Sequence, residues 1–529
     1  MRLARCTTAA AVVAALTLTA CGSGGGGAGD QEALSIAVGE PDSLTPGRQT
    51  VAFEHVTAIF APLTGISDDS DLEYIAAESV ESDDAITWTI TLREGWTFQD
   101  GTPVTSQSYV DAWNYTAYAP NAWPNNGQFA NVEGYEALNP LEGEPSATEL
   151  SGLEVVDDTT FTVTLTAPDG QFPLQLSQGQ TGFYPMPESA YDDLDAYDRA
   201  PVGNGPFQMV GTWEDDQPVF IERWEDYQGE DAEVEQVELR PYADQGTAYT
   251  DVQAGNLDIL FLPADRYTVA ADDFGDRLYS FDAPGISYLG LPTEFDERYA
   301  DIRVRQAISL AIDREAINEV IYGGLYEPAT AWTPPVEPGT PEGVCGEFCE
   351  FDPERAQELL AEAGGWEGPM EIVYPGGSGL DTLYEAYANQ LRQNLGIADV
   401  VASPTTDFAE FFEVRTSGEL GGPFFSRWGA LYPSQQNTLR AFFTPTGGCA
   451  PCVQAVPEEI PELIAAADAE PDEQAAQQAY AAVQEAIAED FVVPPTFFET
   501  YSFVVSERVS DLPSTAGSVD LSGVTLADA

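Results

Sequence analysis

The sequence predicts a mixed α/β protein built as two or more lobes, and three observations predict it. The first is length: removing a cleavable leader at 1–20 leaves 509 of the 529 residues, well past the ~250 to 300 at which a single core stops growing and a chain divides. The second is composition, 43% hydrophobic and 11% aromatic, apolar enough to bury a large core rather than stay disordered. The third is that both periodicities occur without any fixed repeat, alternation in some stretches and helical spacing in others.

The elements follow in chain order. Arg2 and Arg5 precede an apolar run, Ala9 to Leu18, too short for the ~20 residues of a membrane-spanning helix, so 1–20 reads as a signal peptide. The run closes on Leu18-Thr19-Ala20-Cys21, which resembles a bacterial lipobox; the resemblance makes Cys21 the lipidated N-terminus and 21–30 a glycine-rich tether. Plain secretion after cleavage near Ala20 is the alternative. Two or more acyl chains would hold the protein durably at the membrane. Thr87 to Leu92 alternates Trp88, Ile90 and Leu92 with threonines, and Thr160 to Thr166 does the same with Phe161, Val163 and Leu165, so both read as half-buried strands. Ile302 to Tyr322 carries apolar residues at helical spacing up to Gly323-Gly324 and predicts one long helix. Asp352-Pro353 caps a helix over 354–363, and further helices fit 381–395 and 472–489. Proline and glycine crowd 333–346, a surface loop whose end Cys345 and Cys349 would pin.

Charge excludes one class of partner. The chain has 89 acids against 19 basic residues, all arginine, and a net charge of −70, which becomes −72 when Arg2 and Arg5 leave. Such a surface repels phosphate backbones and anionic head groups, so no nucleic acid is expected. A solvated acidic surface suited to a salty medium explains the charge, with recruitment of a cationic partner as the alternative.

Of six cysteines, Cys6 lies in the leader and Cys21 in the lipobox. Cys345, Cys349, Cys449 and Cys452 remain, and outside the membrane these read as two disulfides in any of three connectivities, with a zinc tetrathiolate as the minority alternative. The chain holds one histidine, His55, in an apolar patch, and no G-x-S-x-G or Walker loop, so neither catalysis nor a metal or cofactor is expected.

Five segments in order point to a family. They are Trp88–Val104 continuing through Tyr109–Trp113, Pro201–Phe207, Val252–Asp258, Asp301–Arg314 and Phe351–Gly364. Together they resemble the family 5 extracellular solute-binding proteins, receptors of ABC importers. The resemblance implies the two-lobed, periplasmic-binding-protein-like α/β fold of cluster C type: lobe 1 from 31–66, 201–284 and 496–529, an added subdomain at 67–200, and lobe 2 at 285–495. It implies a monomer that binds a solute between hinged lobes and delivers it to permease subunits without chemistry. Peptides are the leading solute class, oligosaccharides or other compounds the second; an acidic adhesion lipoprotein is the reading outside transport. Read as structure alone, Gly203 and Gly205 let the backbone turn at a domain crossing.

The same resemblance places the ligand at Arg427-Trp-Gly-Ala-Leu-Tyr-Pro433, similar to the family's W-x-A-D-Y-P segment, whose aspartate holds a peptide's free amine. Here that position is Leu431. Trp428 and Tyr432 would be aromatic walls, with packing as core aromatics the alternative and Arg427 beside them, and Tyr288 would face the cleft or pack as a strand tyrosine.

Overall fold

The computed structural model describes residues 33–67, 70–177, 183–515 and 517–527. The leader, the tether and Cys21 lie outside them. Among the described residues no helix is long and apolar enough to cross a membrane.

The strands that position the site are β1 (Leu34–Val38), β2 (Ala77–Glu81), β3 (Thr87–Leu92), β4 (Leu153–Asp157), β5 (Thr160–Thr164), β6 (Phe207–Met209), β7 (Val219–Arg223), β8 (Gln236–Pro241), β9 (Ile259–Phe261), β10 (Leu278–Gly290), β11 (Glu327–Pro328), β12 (Met370–Tyr374), β13 (Val400–Pro404), β14 (Phe424–Gly429) and β15 (Pro495–Val505). The helices used below are α1 (Ser106–Ala117), α2 (Tyr267–Phe274), α3 (Ile302–Leu310), α4 (Pro353–Glu362), α5 (Asp381–Asn394), α6 (Gln435–Phe443), α7 (Glu459–Asp468) and α8 (Glu473–Asp490).

One eleven-stranded sheet runs through the molecule in the order β13-β12-β14-β10-β15-β9-β1-β8-β7-β6, with β11 paired to β15. Its pairing is parallel at β12–α5–β13 and at β1–β8, where helices cross over, and antiparallel along the β8-β7-β6 edge. Its middle is antiparallel, built from the long strands β10 and β15. A separate antiparallel sheet, β2-β3-β5-β4, carries the predicted alternation: Trp88, Ile90 and Leu92 are buried while Thr87 and Thr89 are exposed.

The buried side chains fall into groups on either side of that middle. One cluster draws on Leu34 through Leu239 and closes with Phe503, Val505 and Leu512. At its heart Trp113 of α1 is fully buried, with the rings of Phe183, Phe161 and Phe129 at 5.2, 5.5 and 5.8 Å. Two more lie on opposite faces of the continued sheet: Leu289 through Val400 with Phe497, and Ile286, Tyr288 and the faces of α6, α7 and α8 with Phe498.

Three expectations need correction. The helix over 302–322 is broken: α3 stops at Leu310, and Asp313 accepts the Ala316 amide to begin a new turn, followed by a wide turn over Asn318–Tyr322 that leaves Val320 73% exposed. At the break the buried Arg314 guanidinium donates to the carbonyls of Ser309, Ile312, Cys349 and Pro495; burial lowers its pKa to about 10. Gly203 and Gly205 serve close approach rather than turning, since a Cβ at either would lie 2.1 Å or 2.6 Å from the Ile59 carbonyl group. The 333–346 loop is not all surface: Thr333 and Glu337 are fully buried.

The cysteines pair locally, Cys345 with Cys349 and Cys449 with Cys452. Loops this short stabilise by about 2 kcal/mol each on the chain-entropy account. The first closes the end of the 333–346 loop.

Candidate functional site

The segment from Arg427 to Pro433 leaves the sheet at the end of β14 and turns into α6, whose first turn is capped by Ser434 accepting the Gln436 amide at 3.2 Å. Pairing of β14 with β10 sets Ser287 opposite Arg427 and Ile286 opposite Trp428. Opposed residues share a face and successive ones alternate, so Arg427 and Trp428 project to opposite sides of the sheet.

On the Trp428 side the aromatic residues are held firmly. Trp428 donates from Nε1 to Asn437 Oδ1 at 2.8 Å, and the same oxygen accepts the Leu431 amide at 3.3 Å. Its ring lies on the Gly448 backbone, where a Cβ would come within 2.5 Å, beside the Cys449–Cys452 turn. Tyr432 is 6% exposed and donates to Gln436 Oε1 at 2.7 Å. Tyr288, 2% exposed, donates to the Trp332 carbonyl, with Phe442 4.3 Å away; burial drives its phenol well above the ordinary range. Of the two sequence readings of Tyr288, this is the packed strand tyrosine.

On the other side Arg427 binds Glu499 of β15 through Nε and Nη2. The two side chains differ sharply in access: Arg427 is 46% exposed and Glu499 2%. To reach Arg427, Glu499 passes over β10 at Gly285, where a Cβ would lie 2.6 Å from Glu499 Oε2. Burial opposes the Arg427 charge, but the Glu499 carboxylate outweighs it and holds the guanidinium firmly protonated. Tyr267 of α2 lies 5.9 Å from Tyr326, which stacks on Tyr322 at 4.1 Å. Tyr501 of β15 meets Phe261 edge-on at 5.6 Å. Burial raises the Tyr501 pKa, and Glu499 raises it further while Arg427 opposes.

A second polar network joins the 168–175 segment after β5 to the α6 and α7 region. Arg440 donates to Asp169 Oδ2 at 2.9 Å and to Asp468 Oδ2 at 2.6 Å. Gln436 bonds the other oxygen of each acid, at 2.7 and 3.1 Å, and Ser434 donates to Gln171 at 2.8 Å. Burial raises the Asp468 pKa, against the pull of Arg440 and Tyr480. Neither network was signalled in sequence: Arg427 and Glu499 lie 72 positions apart, Arg440 and Asp169 271, and their acids are three among 89.

Other features carry no chemistry. His55 is wholly buried, donating from Nδ1 to the Ala52 carbonyl, and burial lowers its pKa to about 4. Among the described residues no group of three or more His, Cys, Asp or Glu could hold a metal. A cavity of about 870 Å³ opens between β2, β3 and the Pro471 turn, lined by Glu81, Asp83, Asp84, Trp88 and Gln171 among others; none of 427–433 lines it.

Comparison with known proteins agrees with this architecture. Residues 72–449 match the model of bacterial extracellular solute-binding proteins, family 5, middle. The dipeptide-binding protein DppE of Bacillus subtilis is 26% identical over 68% of this chain and 67% of its own length. The periplasmic oligopeptide-binding protein OppA of Escherichia coli is 29% identical over 54% of each, and the murein peptide-binding protein MppA of Escherichia coli 25% over 73% of each. In structure, the unliganded open form of the murein tripeptide-binding protein MppA superposes with a TM-score of 0.82 at 21% identity, covering 94% of this chain and 98% of that one. The OppA of Haemophilus influenzae in complex with RPPGFSPFR superposes at 0.69, covering 94% and 99%. These neighbours fix the fold as two-lobed and mixed α/β, and the family is one of binding proteins, not enzymes. The chain belongs to family 5 of the bacterial extracellular solute-binding proteins.

Proposed function

We propose that this protein is a lipid-anchored receptor outside the cytoplasmic membrane, which captures a peptide between two lobes and delivers it to the permease of an ABC importer. Lobe 1 comprises 31–66, 201–284 and 496–529 with 67–200 as its subdomain, and lobe 2 is 285–495; Cys21 carries the anchor and the receptor works as a monomer. The observation that carries the reading is the long antiparallel pair β10 and β15, with the 427–433 segment beside it, in a chain similar to dipeptide-, oligopeptide- and murein peptide-binding proteins. Such a joint suits hinge closure around a solute.

The test is a thermal-shift screen of the full chain against peptide and oligosaccharide pools. Peptides are expected to raise the melting temperature, and a response to oligosaccharides alone overturns the peptide assignment. With a peptide in hand, Trp428→Ala is expected to weaken binding by about 2 kcal/mol, as buried aromatic anchors do. Cys21→Ser is expected to release the protein from the membrane fraction; retention there refutes the anchor.

A further inference from the structure

Arg415 is a buried cation without an anion. It lies in the last turn of the helix Phe408–Ser417 and is 2% exposed. Among the described residues no carboxylate pairs with it and its Nε meets no acceptor; the guanidinium lies over the rings of Phe412 and Phe411, at 4.5 and 5.5 Å. Burial alone acts on its pKa, which falls to about 10. A buried charge left in this way is costly until an anion stands beside it. What Nη1 touches is sulfur, Cys452 Sγ at 2.8 Å. That sulfur is neutral while bonded to Cys449, and it carries a full negative charge once the bond opens and Cys452 leaves as a thiolate. The two sulfurs are not alike. Cys449 is 7% exposed against 1% for Cys452, and it follows the exposed Gly448. Its Sγ lies 3.6 Å from the Arg427 carbonyl, an acceptor for the S–H of a reduced cysteine. A cation for a thiolate at 452 and an acceptor for a thiol at 449 are therefore in place before the bond is broken. Among the described residues neither sulfur of Cys345–Cys349 bonds a charged donor, and the nearby Arg314 takes the Cys349 carbonyl instead.

We propose that Cys449 and Cys452 are a redox-active pair, opened at Cys449 by a dithiol reductant and held in the reduced state by Arg415 against the Cys452 thiolate. A thiolate of the reductant attacks Cys449 Sγ, the Cys449–Cys452 bond breaks, and its electron pair goes to Cys452 Sγ, the better leaving group because Arg415 receives it. The reductant's second thiolate attacks its own sulfur in the mixed disulfide and releases Cys449, which takes a proton. Two electrons pass to the protein, the dithiol becomes a disulfide, and of its two protons one ends on Cys449 and the other in solvent. A disulfide whose reduced form is stabilised is the reducible kind, even where disulfides otherwise persist. The turn that this pair closes carries Gly448, on which the Trp428 ring lies, so the exchange takes place against the 427–433 segment. Its chemistry is independent of the solute.

The experiment equilibrates the full chain, folded, with reduced and oxidised dithiothreitol in graded ratios, alkylates it, and reads each cysteine pair by mass spectrometry of its peptides. Cys449–Cys452 is expected to open at a reduced-to-oxidised ratio at least about tenfold lower than Cys345–Cys349, the range of one charged hydrogen bond, or about 30 mV for two electrons. R415M removes an unpaired buried cation and keeps an apolar stem. It is expected to fold, and to raise the ratio needed at Cys449–Cys452 at least about tenfold while leaving Cys345–Cys349 unchanged. R415K keeps a cation and is expected to restore part of the difference. A second measurement needs no change at Arg415: at neutral pH the reduced wild-type chain is expected to show ultraviolet thiolate absorbance that C452S, reduced alike, lacks. Two disulfides that open at the same ratio, or a Cys449–Cys452 bond that opens last, overturn the proposal. So do a folded R415M that reduces like wild type and the absence of a thiolate signal that depends on Cys452.

Discussion

Arg440 lies between two acids that have almost no other access to charge compensation, and replacing it offers the sharpest test of how the 168–175 segment is held. In Arg440→Gln, Asp169 and Asp468, whose side chains are 3% and 7% exposed, stay in place without their cation. Removing one partner of a buried pair costs about 3–5 kcal/mol, and because Arg440 is itself 34% exposed the expected loss is about 3. Unfolding entropy of about 2.1 cal/mol/K per residue, taken over the folded part of this chain, makes each kcal/mol worth roughly 1 °C, so the melting temperature should fall by about 3 °C. The sign with pH follows from Asp468. Its folded pKa is raised, so protonation favours the folded state, and whatever stability that adds is present at low pH and lost as pH rises through the folded value. Losing Arg440 raises that pKa further, so the deficit should be largest near neutrality and shrink on acidification. Calorimetric melting from neutral to acidic pH measures this, with the triple variant Arg440→Gln, Asp169→Asn, Asp468→Asn as the control that restores most of the loss. A melting temperature unchanged at neutral pH, or a deficit that grows in acid, refutes the reasoning.

Three further outcomes are expected. His55, with its pKa lowered from 6.5 to about 4 by burial, contributes stability present above 6.5 and lost as pH falls through that window, about 3 kcal/mol at 1.36 per unit; His55→Phe should flatten the pH dependence of denaturant midpoints between pH 6.5 and 4. Glu337 is buried, bonded by Thr438, and pushed well above the ordinary range by burial, so Glu337→Gln should stabilise near neutral pH and lose that advantage in acid, as urea titrations at the two pH values would record. Raising NaCl from about 0.05 to 1 M, which shortens the screening length severalfold, should raise the melting temperature of a chain with 89 acids and 19 arginines; a flat response refutes adaptation of that surface to salt.

How much was legible in the sequence depended on how local the cause was. Thr87–Leu92 shows its strand in its own alternation, and Asp352-Pro353 shows a helix start because the cap and the fixed φ act on adjacent residues. The 302–322 helix misled, because apolar spacing continues through a point where the Asp313 side chain competes for the backbone and Arg314 claims the carbonyls. At the site, resemblance led to 427–433, but not to the opposite projections of Arg427 and Trp428, which depend on register against β10. Glu499 and Asp169 had no local mark at all. They matter only through partners that the topology brings from far along the chain.

The β10–β15 ladder runs from Leu278 to Tyr288 with shifts in register between Asp282 and Ile286 and between Ser287 and Tyr288. A ribbon bends where its rungs are missing, and Gly285, over which Glu499 reaches for Arg427, lies within the first gap. The gap in the ladder and the Arg427–Glu499 pair thus lie side by side. A bend of the ribbon at that gap would swing the arm that carries Glu499, and Arg427 would have to follow or let go.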